Sequence, residues 1–202
     1  MNNYDKVFKI FEENYKLVPL EVFSDDPYKT LIATLLSART KDELTVKVCD
    51  KLFEKAPNII KLNKLDPQSI EKLIYPVGFY KTKAKHLKML SNIIINKHKG
   101  VIPDSREELT ALPGVGRKTA NLVLNRAFGI PAIAVDTHVF KISNLLGWVN
   151  TKNPETTEFA LMEILPKKYW SDINRLFVSI GQQHRSPRLL REFLEKNNII
   201  HK

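Results

Sequence analysis

Cysteine is nearly missing from this chain: Cys49 is the only one among 202 residues. One thiol closes no internal disulfide and cannot assemble a cysteine metal cluster, which excludes the disulfide-held secreted scaffolds and fits a reducing interior. Long apolar runs are missing too. No stretch approaches the roughly 20 uninterrupted apolar residues that cross a bilayer. The opening MNNYDKVFKIFEENYKLVPL has an apolar rhythm broken by charges, which marks a helix and not a signal peptide. Low-complexity linkers and regular tandem repeats are absent. The five histidines and the one cysteine show no zinc spacing, so no metal or other cofactor is expected. These absences point to an intracellular protein, of the cytoplasm or nucleoid if prokaryotic, without a membrane partner. Its length allows one large or two small cores.

Acidic residues are missing from one long segment. Between Lys72 and Lys99 there are seven lysines, at 72, 81, 83, 85, 88, 97 and 99, and no aspartate or glutamate. The whole chain carries 32 Lys and Arg against 22 Asp and Glu, a formal charge of +10. A surplus of that size favours an anionic partner, with nucleic acid ahead of a membrane surface. The competing reading of the lysine run is a merely solvated helix face.

What is present is helical spacing. Leu31, Leu35 and Ala38 share a face, Leu44, Val48 and Leu52 continue the pattern, and His86, Leu90 and Ile94 form another stripe. Leu122 and Val123 before Ala127 and Phe128, then Leu176 and Ile180, then Leu189, Leu190 and Phe193, predict further helices. Proline pairs such as Asp26-Pro27, Asp66-Pro67, Asn153-Pro154 and Ser186-Pro187 mark boundaries, with proline where a helix starts and its missing N–H costs nothing. Ile59-Ile60 and the run Ile130 to Val135 are short enough for strands, but nothing supplies them with partners. The expectation is an all-α chain.

The segment LTALPGVGRKTANLVL, Leu109 to Leu124, predicts a helical hairpin. Pro113 stops one short helix, Gly114 and Gly116 allow a compact turn, Val115 fills the space beneath it, and Arg117 starts the next helix. Free N–H groups at that helix start suit a backbone phosphate and read no base. The alternative is a tight corner packed inside the core.

LPGVGRKTA together with AVDTHVFK, Ala134 to Lys141, resembles the endonuclease III-type branch of the helix–hairpin–helix DNA glycosylases. LIATLLSARTKD and VGFYKTKAKHLK extend the resemblance, which spans roughly residues 20 to 185. It implies a two-domain helix–hairpin–helix DNA glycosylase fold: a central helical barrel over 20–130, and a discontinuous second domain from 1–19 and 131–202. It also implies damaged double-stranded DNA and abasic-site DNA as partners of a monomer, with the extruded base against the interdomain cleft. The expected activity is a bifunctional glycosylase and abasic-site lyase acting on oxidised or otherwise damaged pyrimidines. Uracil or mismatched thymine is the alternative substrate, and a non-enzymatic DNA-binding module is the alternative class.

Within that resemblance Lys118 matches the nucleophile and Asp136 the catalytic carboxylate. An amine displaces the base at the sugar C1′, and the resulting imine promotes β-elimination of the 3′ phosphate. A carboxylate stabilises positive sugar character or manages the lysine's proton. The structural readings are a solvated lysine and an aspartate that only caps the helix beginning at Thr137; one aspartate can do both. His138 matches a position lining the active site, or is a hydrogen-bonded structural histidine.

Extruding a nucleotide leaves a gap that the enzyme must fill. Arg39 stands where the family often places a gap-filling polar residue, commonly glutamine, and Phe79 approximately where it places an apolar wedge. The alternatives are a phosphate contact for Arg39 and a core position for Phe79. Tyr80, Lys81 and Lys83 follow as backbone contacts, with Gly114, Val115, Gly116 and Arg117 at the hairpin. The main departure from the family lies after Ile180. Many relatives hold a [4Fe–4S] cluster there on four cysteines, whereas GQQHRSPRLLREFLEKNNIIHK has none. No such cluster is expected, and Leu189, Leu190, Phe193 and Leu194 are expected to pack a final helix onto the second domain.

Overall fold

The computed structural model describes residues 3–200, so the outermost two positions at each end of the expected second domain lie outside the described residues. Among the described residues the regular structure is entirely helical, with no strand. Proline-marked starts are capped as side-chain chemistry requires. Asp26 accepts from the Lys29 N–H at 3.0 Å, Asp66 from Ser69 at 2.9 Å, Asn153 from Thr156 at 2.9 Å and Ser186 from Leu189 at 3.1 Å. In each case an oxygen satisfies one of the helix's orphan donors, and proline occupies the next position.

The chain divides into two compact units. One runs from Pro19 to Ile130. It contains a 3-10 turn (Pro19–Phe23), α2 (Pro27–Ser37), α3 (Asp42–Lys55), α4 (Ile59–Lys64), α5 (Pro67–Ile74), α6 (Tyr80–His98), α7 (Arg106–Thr110) and α8 (Arg117–Phe128). Helix α2 is apolar on nearly every side, with Leu31, Ile32 and Leu36 fully buried, and it packs on α3 and α8. A helix apolar all round has to be central. Helices α4 and α5 pack on α6 through Ile59, Leu62, Ile70 and Ile74. The Ile59-Ile60 pair thus belongs to a helix.

The other unit joins the N-terminal helix α1 (Tyr4–Glu13) to the chain from Pro131 onward. It includes α9 (Thr137–Leu145), α10 (Pro154–Ile164), a 3-10 turn (Lys167–Tyr169), α11 (Ile173–Gln183) and α12 (Pro187–Lys196). Its core is aromatic: Phe8 stacks on Tyr169 with ring centres 4.1 Å apart, and Phe11 meets Phe177 edge-on at 5.1 Å. Residues Ala132 to Val135 are buried without forming a strand. Their backbone finds side-chain partners, as where the Asn174 amide donates to the Ala134 carbonyl at 2.9 Å. Leu190 and Leu194 of α12 and Ile199 beyond it are buried in the same core. Ile199 is tied back to Asn3, whose amide donates to the Ile199 carbonyl at 3.2 Å.

Candidate active site

The hairpin forms between α7 and α8. Pro113 follows the end of α7, the Val115 N–H donates to the Leu112 carbonyl at 3.1 Å, and the Val115 side chain is buried under the turn. Across the hairpin the Arg106 guanidinium donates to the Asn121 side chain at 2.8 Å, locking the two helices together. The two glycines differ in what they do. Gly114 has φ +80, and an added Cβ would stand 2.6 Å from Nδ1 of His86 on α6. Gly116 has φ −93, and an added Cβ would meet nothing within 4 Å. The fold therefore demands glycine at 114 and not at 116. Gly116 is the N-cap of α8 and offers no side-chain cap, so the first N–H groups of α8 face an uncrowded approach.

Lys118 is exposed in the first turn of α8, directly after that approach. Asp136 is the N-cap of α9, and its Oδ1 accepts from the His138 and Val139 N–H groups at 2.9 Å each. One oxygen carries both cap bonds, leaving Oδ2 free of hydrogen bonds among the described residues. Lys118 belongs to the unit Pro19–Ile130 and Asp136 to the other. His138 is half-buried, its ring lying so close to α11 that a Cβ on Gly181 would come within 2.1 Å of Nδ1. Its visible role is packing.

Arg39 and Phe79 stand at the tips of two adjoining loops, after α2 and before α6. Both have left-handed backbones, φ +56 and +58. Phe79 is 60% exposed, which removes the core reading, and the Arg39 guanidinium lies 5.2 Å from its ring centre. The loops touch directly. The Gly78 N–H donates to Thr40 Oγ1 at 3.0 Å, and a Cβ on Gly78 would stand 2.6 Å from the Arg39 carbonyl oxygen. A cavity of about 330 Å³ opens beside them, lined among others by Leu35, Thr82, Lys83 and His86.

Lys83 corrects the sequence reading. It is only 6% exposed, and its ammonium donates to the carbonyls of Leu36 at 2.8 Å and Ala38 at 2.6 Å. These are orphan acceptors at the C-terminus of α2, where a cation also opposes the helix dipole. An amine turned inward does not meet a phosphate. Burial pulls it below the ordinary lysine range, to about 8. Lys88 serves α4 in the same way, donating to the Asn63 carbonyl and to that of Leu65 at 3.1 Å. Two of the seven lysines are thus internal braces. Lys72, Lys81, Lys85, Lys97 and Lys99 are exposed. Tyr80 is half-buried and meets Tyr75 edge-on at 5.3 Å. Thr40, Gly78 and His86 had escaped the sequence analysis as parts of a site, and Lys83 had been read there as a backbone contact.

Among the described residues no group of three or more His, Cys, Asp or Glu side chains is placed to hold a metal ion. Cys49 is buried within α3, where burial pushes its thiol up to about 12. A lone neutral thiol does not fit an iron–sulfur centre that needs four thiolates. Also among the described residues, no helix is long and apolar enough to cross a membrane.

The model of the HhH-GPD superfamily of base excision DNA repair proteins matches residues 32–167. Endonuclease III of Thermotoga maritima is 45% identical over 96% of this chain and 88% of its own length. Endonuclease III-like protein 1 of Bos taurus is 43% identical over 77% of the chain, which spans 52% of that longer protein. Among solved structures, a trapped endonuclease III–DNA covalent intermediate, an estranged-adenine complex, matches with a TM-score of 0.80. The two share 36% identity, over 91% of this chain and 85% of that one.

Proposed function

This chain belongs to the HhH-GPD superfamily of base excision DNA repair proteins, and from that premise we propose that it removes oxidised or fragmented pyrimidines from duplex DNA and cleaves the abasic product by β-elimination. The observation that carries this reading is the exposed Lys118 in the first turn of α8, beside the first N–H groups of that helix, which no Gly116 side chain caps. Those groups hold a backbone phosphate and so set the register of the strand without selecting sequence.

In the reaction the neutral Lys118 amine attacks the sugar C1′. The C1′–N bond breaks, and its electron pair leaves with the base, which is then protonated. Loss of an amine proton and opening of the ring give the protonated Schiff base. Removal of a 2′ proton sends electrons toward the iminium and expels the 3′ phosphate, and water later releases Lys118. Asp136, fixed by its two cap bonds through Oδ1, offers Oδ2 to the positive charge that develops on the sugar. No step runs through an iron–sulfur cluster, for which the chain lacks the cysteines; packing of Leu190, Leu194 and Ile199 stabilises the C-terminal end instead. Arg39 and Phe79 occupy the gap left by the extruded nucleotide, and the exposed lysines supply affinity that falls with salt.

The test follows base release separately from strand cleavage on duplexes carrying thymine glycol, dihydrouracil, uracil, mismatched thymine or an abasic site. Lys118→Ala abolishes the borohydride-trapped adduct while DNA binding persists. Base release without trapping in the unaltered protein would leave a glycosylase and remove the lyase mechanism. Binding without either reaction would leave a DNA-binding module.

A further inference from the structure

Lys83 is the buried cation that the reaction above leaves unused. It reaches from α6 across to the end of α2 and holds the carbonyls of Leu36 and Ala38, with Thr40 Oγ1 at 3.5 Å as a third oxygen. These three oxygens match the three donors of an ammonium. Ala38 immediately precedes Arg39 and Thr40 follows it, so Lys83 grips the loop on both sides of the gap-filling residue. The same α6 begins directly after Phe79. One side chain thus sits between the two loops whose tips carry Arg39 and Phe79, and the Gly78 N–H to Thr40 bond closes the connection from the other side.

We propose that Lys83 is a positioning residue for nucleotide extrusion: its ammonium locks the Arg39 loop against the Phe79 turn, so that the two side chains enter the duplex as one preformed wedge. The proposal rests on the gap-filling reading of Arg39 and Phe79. A preformed wedge needs no ordering when the base leaves, whereas a loose one must be organised at that moment.

The experiment compares single-turnover base release from two duplexes. In one, dihydrouracil is paired with adenine; in the other it faces an abasic-site analogue, so extrusion orphans no base. Lys83→Met, Arg39→Ala, Phe79→Ala and the combined Lys83→Met/Arg39→Ala are run beside the unaltered protein. Lys83→Met slows the paired duplex roughly tenfold and the gapped one less than about threefold, the scale of a small misplacement of reacting groups. The combined variant loses less than the product of the two single losses, because Lys83 acts in part through Arg39. Equal losses on both duplexes for Lys83→Met, with Arg39→Ala and Phe79→Ala still distinguishing them, overturn the proposal alone. If Arg39→Ala and Phe79→Ala fail to distinguish the duplexes, the gap-filling reading falls and the proposal falls with it. Should Lys83→Met not fold, Thr40→Val carries the test, since it removes the Gly78 bond and the third oxygen on Lys83 while the ammonium keeps the carbonyls of Leu36 and Ala38. It must show the same duplex dependence, and equal losses on both duplexes overturn the proposal.

Discussion

The Arg39 guanidinium lies 5.2 Å from the centre of the Phe79 ring, and both residues hold left-handed backbones at the tips of separate loops. An exposed cation–π contact contributes about 0.5–1 kcal/mol. A left-handed non-glycine residue costs about 1–2 kcal/mol, so the contact alone does not maintain the pair. The difference is made up beneath it, by the Gly78 to Thr40 hydrogen bond and by Lys83 on the carbonyls of Leu36 and Ala38. Strain held in place by its surroundings is what a site prepared for a partner looks like.

Phe79→Gly separates strain from use. Glycine adopts φ +58 freely, and the lost ring is mostly exposed, so little burial goes with it. The expected outcome is a thermal midpoint equal to or above that of the unaltered protein, with base release from a paired lesion lowered by about tenfold, the scale of one stacking contact. A drop of several degrees in the midpoint with unchanged base release would return Phe79 to a structural role.

The hairpin glycines should part in the same manner. Gly114→Ala meets both a left-handed φ and the His86 ring, 2.6 Å from the new Cβ. It is expected to cost about 1–3 kcal/mol in urea unfolding. Gly116→Ala meets nothing in the protein, and should leave the urea midpoint nearly unchanged. Its methyl instead intrudes where a phosphate would approach α8, so binding of undamaged and damaged duplex should both weaken. Unimpaired binding by Gly116→Ala would move the phosphate away from this helix start.

Much of this was legible beforehand, for identifiable reasons. Helical periodicity and the Asx-Pro or Ser-Pro starts are local signals, and α2, α5, α10 and α12 begin where they indicate. The hairpin was legible because Pro113, Gly114 and the buried Val115 act within a few residues of one another. Lys83 was not. In a run of lysines nothing local distinguishes the one whose amine turns inward, since its acceptors come from a segment more than 40 positions away. The left-handed backbones of Arg39 and Phe79 leave no trace in residue type either. Nor does the difference between Gly114 and Gly116, which depends on His86 standing beside only one of them.

Asp136 can be divided into its two roles by choice of substitution. Asparagine caps a helix about as well as aspartate, so Asp136→Asn keeps the bonds to the His138 and Val139 N–H groups while removing the charge. Stability should be nearly unchanged, and base release should fall by about 10²–10⁴-fold, as for loss of one proton-handling or charge-stabilising group. Asp136→Ala should show the same chemical loss plus about 1 kcal/mol of lost cap. If Asp136→Asn releases base at the unaltered rate, the carboxylate is a cap alone.

Lys83 gives a pH dependence whose sign is fixed by its burial. The folded amine is pulled to about 8, against 10.5 for an ordinary lysine. Well below 8, both states hold the proton and the folded state bears the full cost of burying it. Between about 8 and 10.5 the unfolded chain keeps a proton that the folded one has released, so that cost fades as pH rises. Relative to Lys83→Met, the unaltered protein should therefore gain stability across this window, read as a growing difference in urea midpoint. Wedge function should move the opposite way. A neutral amine has two donors and a lone pair to set against the three oxygens of Leu36, Ala38 and Thr40. Base release from paired lesions should then decline through pH 8 in the unaltered protein more than in Lys83→Met. A stability difference that stays flat from neutral pH to pH 10 would mean that the ammonium keeps its proton, and the decline in base release would need another source.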